Sequence, residues 1–240
     1  MVTPRREPVA AMVATEPLQG RALATRRALL VAAATQFAET GYHGTALSEV
    51  IAASKVTKGA LYFHFASKQA LADAVVAEMV QRWKVMVAGV NARGLDPLWT
   101  LLAQTDEVVA RMITDPIARG GIQLLADRGL ACADTAEHYA YGEAAAVEQL
   151  TAAAAAGLLR PGLDSTRIAR LVVAMMTGVN LICDLTRDRD QLWEAVTDLW
   201  QGLLPAIATD SWLERWQAAD WPHRAMPAVT GLSGPPCRGE

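Results

Sequence analysis

Lys58, Tyr62, His64 and Lys68 fall within one short stretch of chain, beside the small residues Gly59 and Ala60. An ammonium, a phenol and an imidazole set two to four residues apart can all donate hydrogen bonds from one end of a short helix. The neighbouring small residues leave that backbone bare enough to approach a large partner closely. Such a set suits phosphate oxygens and base edges of duplex DNA, not bond making or breaking. Taken alone, residues 57–65 also fit an amphipathic surface helix with an aromatic stripe. The flanking sequence decides between these readings.

Upstream, residues 25–40 are apolar at helical spacing through Leu29, Ala32, Ala33 and Phe37. They stop at Gly41, which can adopt the left-handed conformation that closes a helix. Thr45 is of the type that caps a short helix over 46–53, residues 54–56 form a turn, and Thr57 and Ser67 have the side chains to cap the next two helices. The order helix, glycine turn, short helix, turn, short helix, long helix is a three-helix helix-turn-helix unit feeding a connecting helix. In that arrangement Lys58 is placed to donate to phosphate or guanine, and Tyr62 and His64 to phosphate. Thr45 and Thr57 offer contacts at helix starts, and Arg26 and Arg27, with Arg21, reach phosphates from the first helix and the arm before it. Phe63 and Phe65 are expected in the small domain's core with Phe37 and Leu61.

Residues 25–72 as a whole resemble the N-terminal domain of TetR-family transcriptional regulators. The resemblance is carried by Gly41 to Thr45, Leu47 to Val50, Val56 to Phe65 and Ser67-Lys68 at matching spacings. It implies a homodimer with two DNA-binding heads on an all-α ligand-binding body, commonly a repressor released by a small molecule. The Tyr62 to Phe65 run, residues 115–122 and residues 199–205 are similar, more narrowly, to the autoregulator receptors of actinomycetes, which bind γ-butyrolactones, furans and related butenolides.

Charge is distributed unevenly. The net charge of −3 gives no hint of a polyanionic partner, yet residues 1–70 carry eight Lys/Arg against four acids, which leaves −7 for the remainder. A basic head on an acidic body suits a protein that offers one end to phosphates. Three widely spaced cysteines (Cys132, Cys183, Cys237) and four scattered histidines show no metal-ligand spacing, so neither metal nor cofactor is expected and a reduced, cytoplasmic setting fits. No transmembrane span or signal peptide is expected.

The domains expected are a disordered arm at 1–20, the helix-turn-helix domain at 21–66, a ligand-binding and dimerisation domain at 67–221 and a loose proline-rich tail at 222–240. Asp96-Pro97 and Asp115-Pro116 each read as a cap followed by proline at the first helical position, and Asp164 caps another helix. Nine helices follow, with a last short turn near 212–221, and the fold class is all-α.

Polar or aromatic side chains on otherwise apolar helix faces mark a candidate small-molecule cavity in the body: Trp83, Met86, Met112, Gln123, Tyr141 and Thr177. Each can equally be an exposed side chain or a satisfied core group, and the Thr177 hydroxyl needs either a ligand or a carbonyl of its own helix. The resemblance implies an aromatic ligand contact near Tyr141, often tryptophan in those receptors, so tyrosine there implies a smaller or more polar ligand. In the last two long helices, Leu171, Met175, Gly178 and Ile182 form one stripe apart from Ile168, Val172, Thr177 and Val179. Leu192, Val196, Leu199 and Leu203 form another, with Trp193, Trp200, Leu204 and Ile207 offset. Two apolar faces per helix suit a four-helix bundle across a two-fold axis.

The function expected is a ligand-responsive repressor with three partners: double-stranded operator DNA, a small autoregulator and a second copy of itself. A TetR-like pseudo-receptor answering to an antibiotic or another hydrophobic molecule stays open. A helical enzyme has no Gly-x-Ser-x-Gly, phosphate loop or nucleotide fingerprint in its favour.

Overall fold

The computed structural model describes residues 16–127, 135–186, 188–189 and 191–229. These residues form ten α-helices and one 3-10 turn: α1 Glu16–Gly44, α2 Leu47–Ser54, α3 Lys58–His64, α4 Lys68–Asn91, α5 Pro97–Thr114, α6 Pro116–Ala126, α7 Thr135–Ala155, α8 Ser165–Thr186, α9 Gln191–Ile207, α10 Asp210–Ala218 and the turn Trp221–His223. The short turn expected near 212 is thus a two-turn helix. The arm's last five residues, 16–20, are helical, so α1 begins earlier than its sequence pattern indicates.

Local chemistry sets most of the helix starts. Thr57 Oγ1 accepts from Ala60 N at 3.2 Å, Ser67 Oγ from Ala70 N at 3.1 Å and Asp96 Oδ1 from Trp99 N at 3.0 Å. Asp115 Oδ1 accepts from Ile117 N and Asp164 Oδ1 from Thr166 N, both at 2.9 Å. Each bond satisfies an amide that the first helical turn leaves without a partner. Thr45 departs from this pattern. Non-helical backbone at Gly41 (φ 70°, ψ 176°) kinks α1, and the Gly41 carbonyl accepts both the Thr45 amide at 3.3 Å and the Thr45 hydroxyl at 2.7 Å. Thr45 Oγ1 also lies 2.9 Å from Thr40 Oγ1 and is buried, so Ala46 takes the cap position of α2 and Glu49 accepts from its amide at 3.4 Å.

The head closes over Phe37, Val50, Leu61 and Phe65, all buried. Phe63 does not join them: it is 81% exposed. On a seven-residue helix, only the line through Leu61 faces α1 and α2, and Phe63 lies on the opposite side.

Helix α6 joins head to body, packing on α1 and on α4. Both of its contact faces use glycine. A Cβ at Gly120 would lie 2.4 Å from the Ala34 carbonyl oxygen of α1, and one at Gly121 2.4 Å from Met79 Sδ of α4. Asp115, capping α6, also receives Arg82 of α4 at 3.0 Å, and Arg82 holds Glu78 at 2.8 Å.

The chain's last described stretch is not loose. The Arg224 guanidinium packs half-buried against α5 and α9, pairing with both Asp106 oxygens at 2.7 and 2.5 Å and donating to Thr197 Oγ1 at 3.0 Å. It lies 3.3 Å from the Trp221 ring centre and 4.2 Å from that of Trp193. Cation–π contact and a bidentate pair together fasten the segment.

Helix α8 is 22 residues long with a mean hydropathy of 1.7 over its most apolar window, enough by length and composition to cross a membrane, which the sequence pattern did not suggest. It packs on α7 and α9 through Ile168, Ala169, Val172, Asn180 and Cys183, while Leu171, Leu181, Ile182 and Leu185 face out. In α9, Leu192, Val196, Trp200, Leu204 and Ile207 are the buried line. Trp200 therefore belongs to the protomer's own core and not to an outward stripe. Cys183 is a buried free thiol; Cys132 and Cys237 lie outside the described residues.

Replacing Gly120 with alanine drives a methyl group into backbone, not into a movable side chain. Gly120→Ala is expected to lose on the order of 1–3 kcal/mol of stability in urea titration, as overpacking does. Gly121→Ala, which meets the flexible Met79 side chain, is expected to lose less.

Candidate DNA interface and ligand cavity

On the head, α3 presents Lys58, Gly59, Tyr62 and Phe63 to solvent, preceded by exposed Lys55 and Thr57. Lys55 holds a left-handed conformation (φ 56°) that turns the chain from α2 towards α3. His64 is half-buried, its ring 5.1 Å from Phe63 and 6.3 Å from Phe65. Two of the expected phosphate contacts are tied internally. The Lys68 ammonium sits 4.5 Å above the Tyr42 ring and donates to the His43 carbonyl at 3.5 Å, and the Arg26 guanidinium lies 4.7 Å from the Phe65 ring centre. Arg27 is exposed. The Thr45 hydroxyl is occupied within the kink of α1 and is buried, so it is not presented to a partner.

In the body, α4, α5, α6, α7 and α8 enclose a cavity of about 150 Å³. Five of the six expected residues line it: Trp83, Met86, Met112, Tyr141 and Thr177. Gln123 does not. Residues 117, 118, 120, 121, 124 and 125 of α6 are buried where that helix packs on its neighbours α1, α4 and α5, and the helix's phase turns Ile122 into the cavity wall instead. The Thr177 hydroxyl donates to Val173 O at 2.8 Å, the carbonyl of its own helix. Tyr141 is half-buried, with the Lys84 ammonium 5.7 Å from its ring centre.

Sequence reasoning missed four buried polar residues of the wall: Gln104, Thr105, His138 and Asn180. Gln104 and Thr105 lie on the stripe made by Leu98, Leu101, Val108 and Met112, and that interruption was a readable signal. Gln104 donates to Asn91 Oδ1 at 2.7 Å and Thr105 to Leu101 O at 2.8 Å. The His138 ring packs 4.4 Å from that of Trp83, whose buried indole N–H has no hydrogen-bond partner among the described residues. Burial pushes the His138 imidazole down to about 4, so it is neutral at pH 7. Among the described residues that line the cavity there is no Asp, Glu, Lys or Arg. Among the described residues no cluster of His, Cys, Asp and Glu could hold a metal ion. The site can therefore hold an uncharged molecule by shape and a few hydrogen bonds.

Comparison with known proteins places these features. The family model for bacterial regulatory proteins of the tetR family matches residues 29–75, spanning the kink of α1, α2, α3 and the start of α4. The chain is 31% identical to the solved TylP, a TetR regulator from Streptomyces fradiae, with 80% of this chain and 90% of that one covered at a TM-score of 0.61. The chain belongs to the TetR family. It is also 32% identical over 192 residues to the A-factor receptor protein of Streptomyces griseus, a match spanning 79% of this chain and 66% of that protein. A solved γ-butyrolactone receptor, an ArpA-like protein, covers 85% of this chain at 25% identity and a TM-score of 0.67. This TetR-family member is thus a DNA-binding regulator and not an enzyme, and its likeness runs through the ligand-binding body as well as the head.

The His138 environment has a consequence for stability. Its folded value lies below the unfolded 6.5, so the stabilisation is complete above pH 6.5 and is lost as pH falls towards about 4. Replacing His138 with glutamine is expected to remove about 3 kcal/mol of the acid-side decline in urea-denaturation stability between pH 7 and pH 4. An unchanged decline in the variant would show that other groups govern it.

Proposed function

We propose that this TetR-family protein is a ligand-responsive transcriptional repressor, released from its operator by a small uncharged autoregulator of the γ-butyrolactone, butenolide or furan type. The observation that carries the reading is the path of α4. It starts at the Ser67 cap, directly after the DNA-facing α3, and its far half supplies Trp83, Met86 and Val87 to the uncharged cavity. A ligand that fits the cavity better in one placement of α4 biases the spacing of the heads, because only a conformer-selective ligand moves an equilibrium. The described wall residues carry no charge, which disfavours ionic effectors, since a buried unpaired charge costs several kcal/mol. Likeness to the A-factor receptor and to a γ-butyrolactone receptor supports the same class.

The DNA contacts proposed are Lys58, Gly59, Tyr62 and His64 with Thr57, flanked by Arg27. Arg26 and Lys68 serve once freed from their aromatic partners. The ligand contacts proposed are Trp83, Met86, Met112, Tyr141 and Thr177, with Gln104, Thr105, His138 and Asn180. Assembly is proposed as a homodimer through α8, because Leu171, Leu181, Ile182 and Leu185 are all exposed on one helix and a two-fold partner would bury them. A cytoplasmic location follows from this role.

The deciding experiment uses fluorescence anisotropy on a duplex selected from a random library by the wild-type protein. Lactones and furans are expected to release it, and a panel from which only charged drugs do so would overturn the autoregulator class while leaving the regulator. Lys58→Ala with Tyr62→Ala is expected to cost about 1–3 kcal/mol per contact, counted twice in a dimer, without altering the thermal melt. Binding should also fall steeply with salt as counterions are released.

Light scattering is expected to report a dimer for the wild type at micromolar concentration. Ile182→Glu, at an exposed position, is expected to give folded monomers with weakened operator binding. A dimer that survives both Ile182→Glu and Leu185→Glu would place the interface elsewhere.

A further inference from the structure

Phe63 is the most exposed large apolar side chain among the described residues, at 81%. It adds nothing to the head's core, which Phe37, Leu61 and Phe65 already fill. Its position is specific. With Leu61 facing inward, the opposite line of α3 runs through Gly59 and Phe63, one turn apart. A Cβ at Gly59 would meet nothing within 4 Å, so no internal packing demands a glycine there. The bare turn at Gly59 instead lets the helix approach a surface closely, and the first side chain beyond it on the same line is the phenyl ring. Lys58 and half-exposed Tyr62 flank that line with a cation and a hydroxyl.

A phenyl ring left in water on the outermost line of a DNA-facing helix needs an apolar feature in the groove. Base edges in the major groove offer hydrogen-bond donors and acceptors, with one apolar group among them, the C5-methyl of thymine. We infer that Phe63 is a specificity-determining residue that packs on the C5-methyl group of one thymine in each operator half-site. This rests on the DNA-binding regulator reading above and adds to it which chemical feature of the base pair the protein reads without hydrogen bonds.

The experiment replaces single thymines by deoxyuridine, which removes only the methyl group, in the duplex selected by the wild-type protein. Binding of wild type, Phe63→Ala and Lys58→Ala is measured by anisotropy, with thermal melts to confirm folding. One thymine per half-site is expected to show the effect: deoxyuridine there weakens wild-type binding by about fourfold per half-site and about fifteenfold when both are changed, the equivalent of one buried methyl group each. Phe63→Ala is expected to bind the thymine duplex more weakly by a similar factor and to be indifferent to that same replacement, whereas Lys58→Ala keeps the wild-type sensitivity. The assignment is overturned if no thymine is methyl-sensitive, or if Phe63→Ala retains the sensitivity. It is equally overturned if Phe63→Ala weakens selected and unrelated duplexes alike, the mark of a backbone contact. A library from which wild type enriches no sequence overturns the regulator reading and this assignment with it; enrichment without methyl sensitivity overturns this assignment alone.

Discussion

The contact between Gly120 and the backbone of Ala34 is the constraint on which the rest of the architecture depends. Two helices approach so closely there that one methyl group cannot be inserted without moving backbone. Because α6 is held on its other side by Gly121 against Met79 and by Asp115 with Arg82, it lies wedged between the first helix of the head and the connecting helix. Its Ile122 meanwhile forms part of the cavity wall. One short helix thus touches the DNA-binding unit, the connecting helix and the ligand space. Close-packed joints of this kind shift between discrete arrangements rather than deform smoothly, and so a small change in the cavity has a rigid route to the head.

Electrostatics divide the molecule in a complementary way. On the head Arg21, Arg27, Lys55 and Lys58 are exposed, while the exposed described arginines of the body, Arg93, Arg167, Arg170 and Arg215, are each paired with a carboxylate. Glu107 illustrates the arrangement. Burial would raise its carboxyl, but hydrogen bonds from Arg111 and Arg93 hold it below the ordinary value. For Asp106 burial dominates and raises the carboxyl despite its bond to Arg224. Both lie on α5, whose neighbouring Gln104 and Thr105 face the ligand space. Along this one helix a rotation of roughly one residue separates carboxylates held by arginines from the uncharged side chains at the cavity.

The same one-residue rotation explains what could be read from the chain and what could not. Side chains that act on their own backbone were legible: Thr57, Ser67, Asp96, Asp115 and Asp164 all cap where their types and the following residues predict. Gln123 was misplaced because helix phase depends on which faces the neighbours consume, and α6 is consumed on two. Phe63 was misread because hydrophobicity states a preference for burial, not a location. Thr45 has the side chain of a cap, and nothing local reveals that its hydroxyl turns back to the Gly41 carbonyl and the Thr40 hydroxyl instead. His138 and Asn180 gain their meaning only from helices distant in sequence. The outward face of α8 was legible as a stripe, but not which of its two stripes the protomer keeps for itself.

The anchoring of Arg224 bears on how the chain can be cut or extended. A segment rich in proline and glycine invites truncation, or fusion of a tag close to the last helix. Cutting before Arg224 would strip the cation from Asp106 and leave a buried carboxylate without its partner, a loss of several kcal/mol by the usual penalty for breaking such a pair. The two indole rings stacked on the guanidinium would be uncovered as well. By architecture, then, the minimal folding unit extends past the final helix to Arg224, and a shortened chain would betray the error through insolubility rather than through any defect at the DNA or ligand sites.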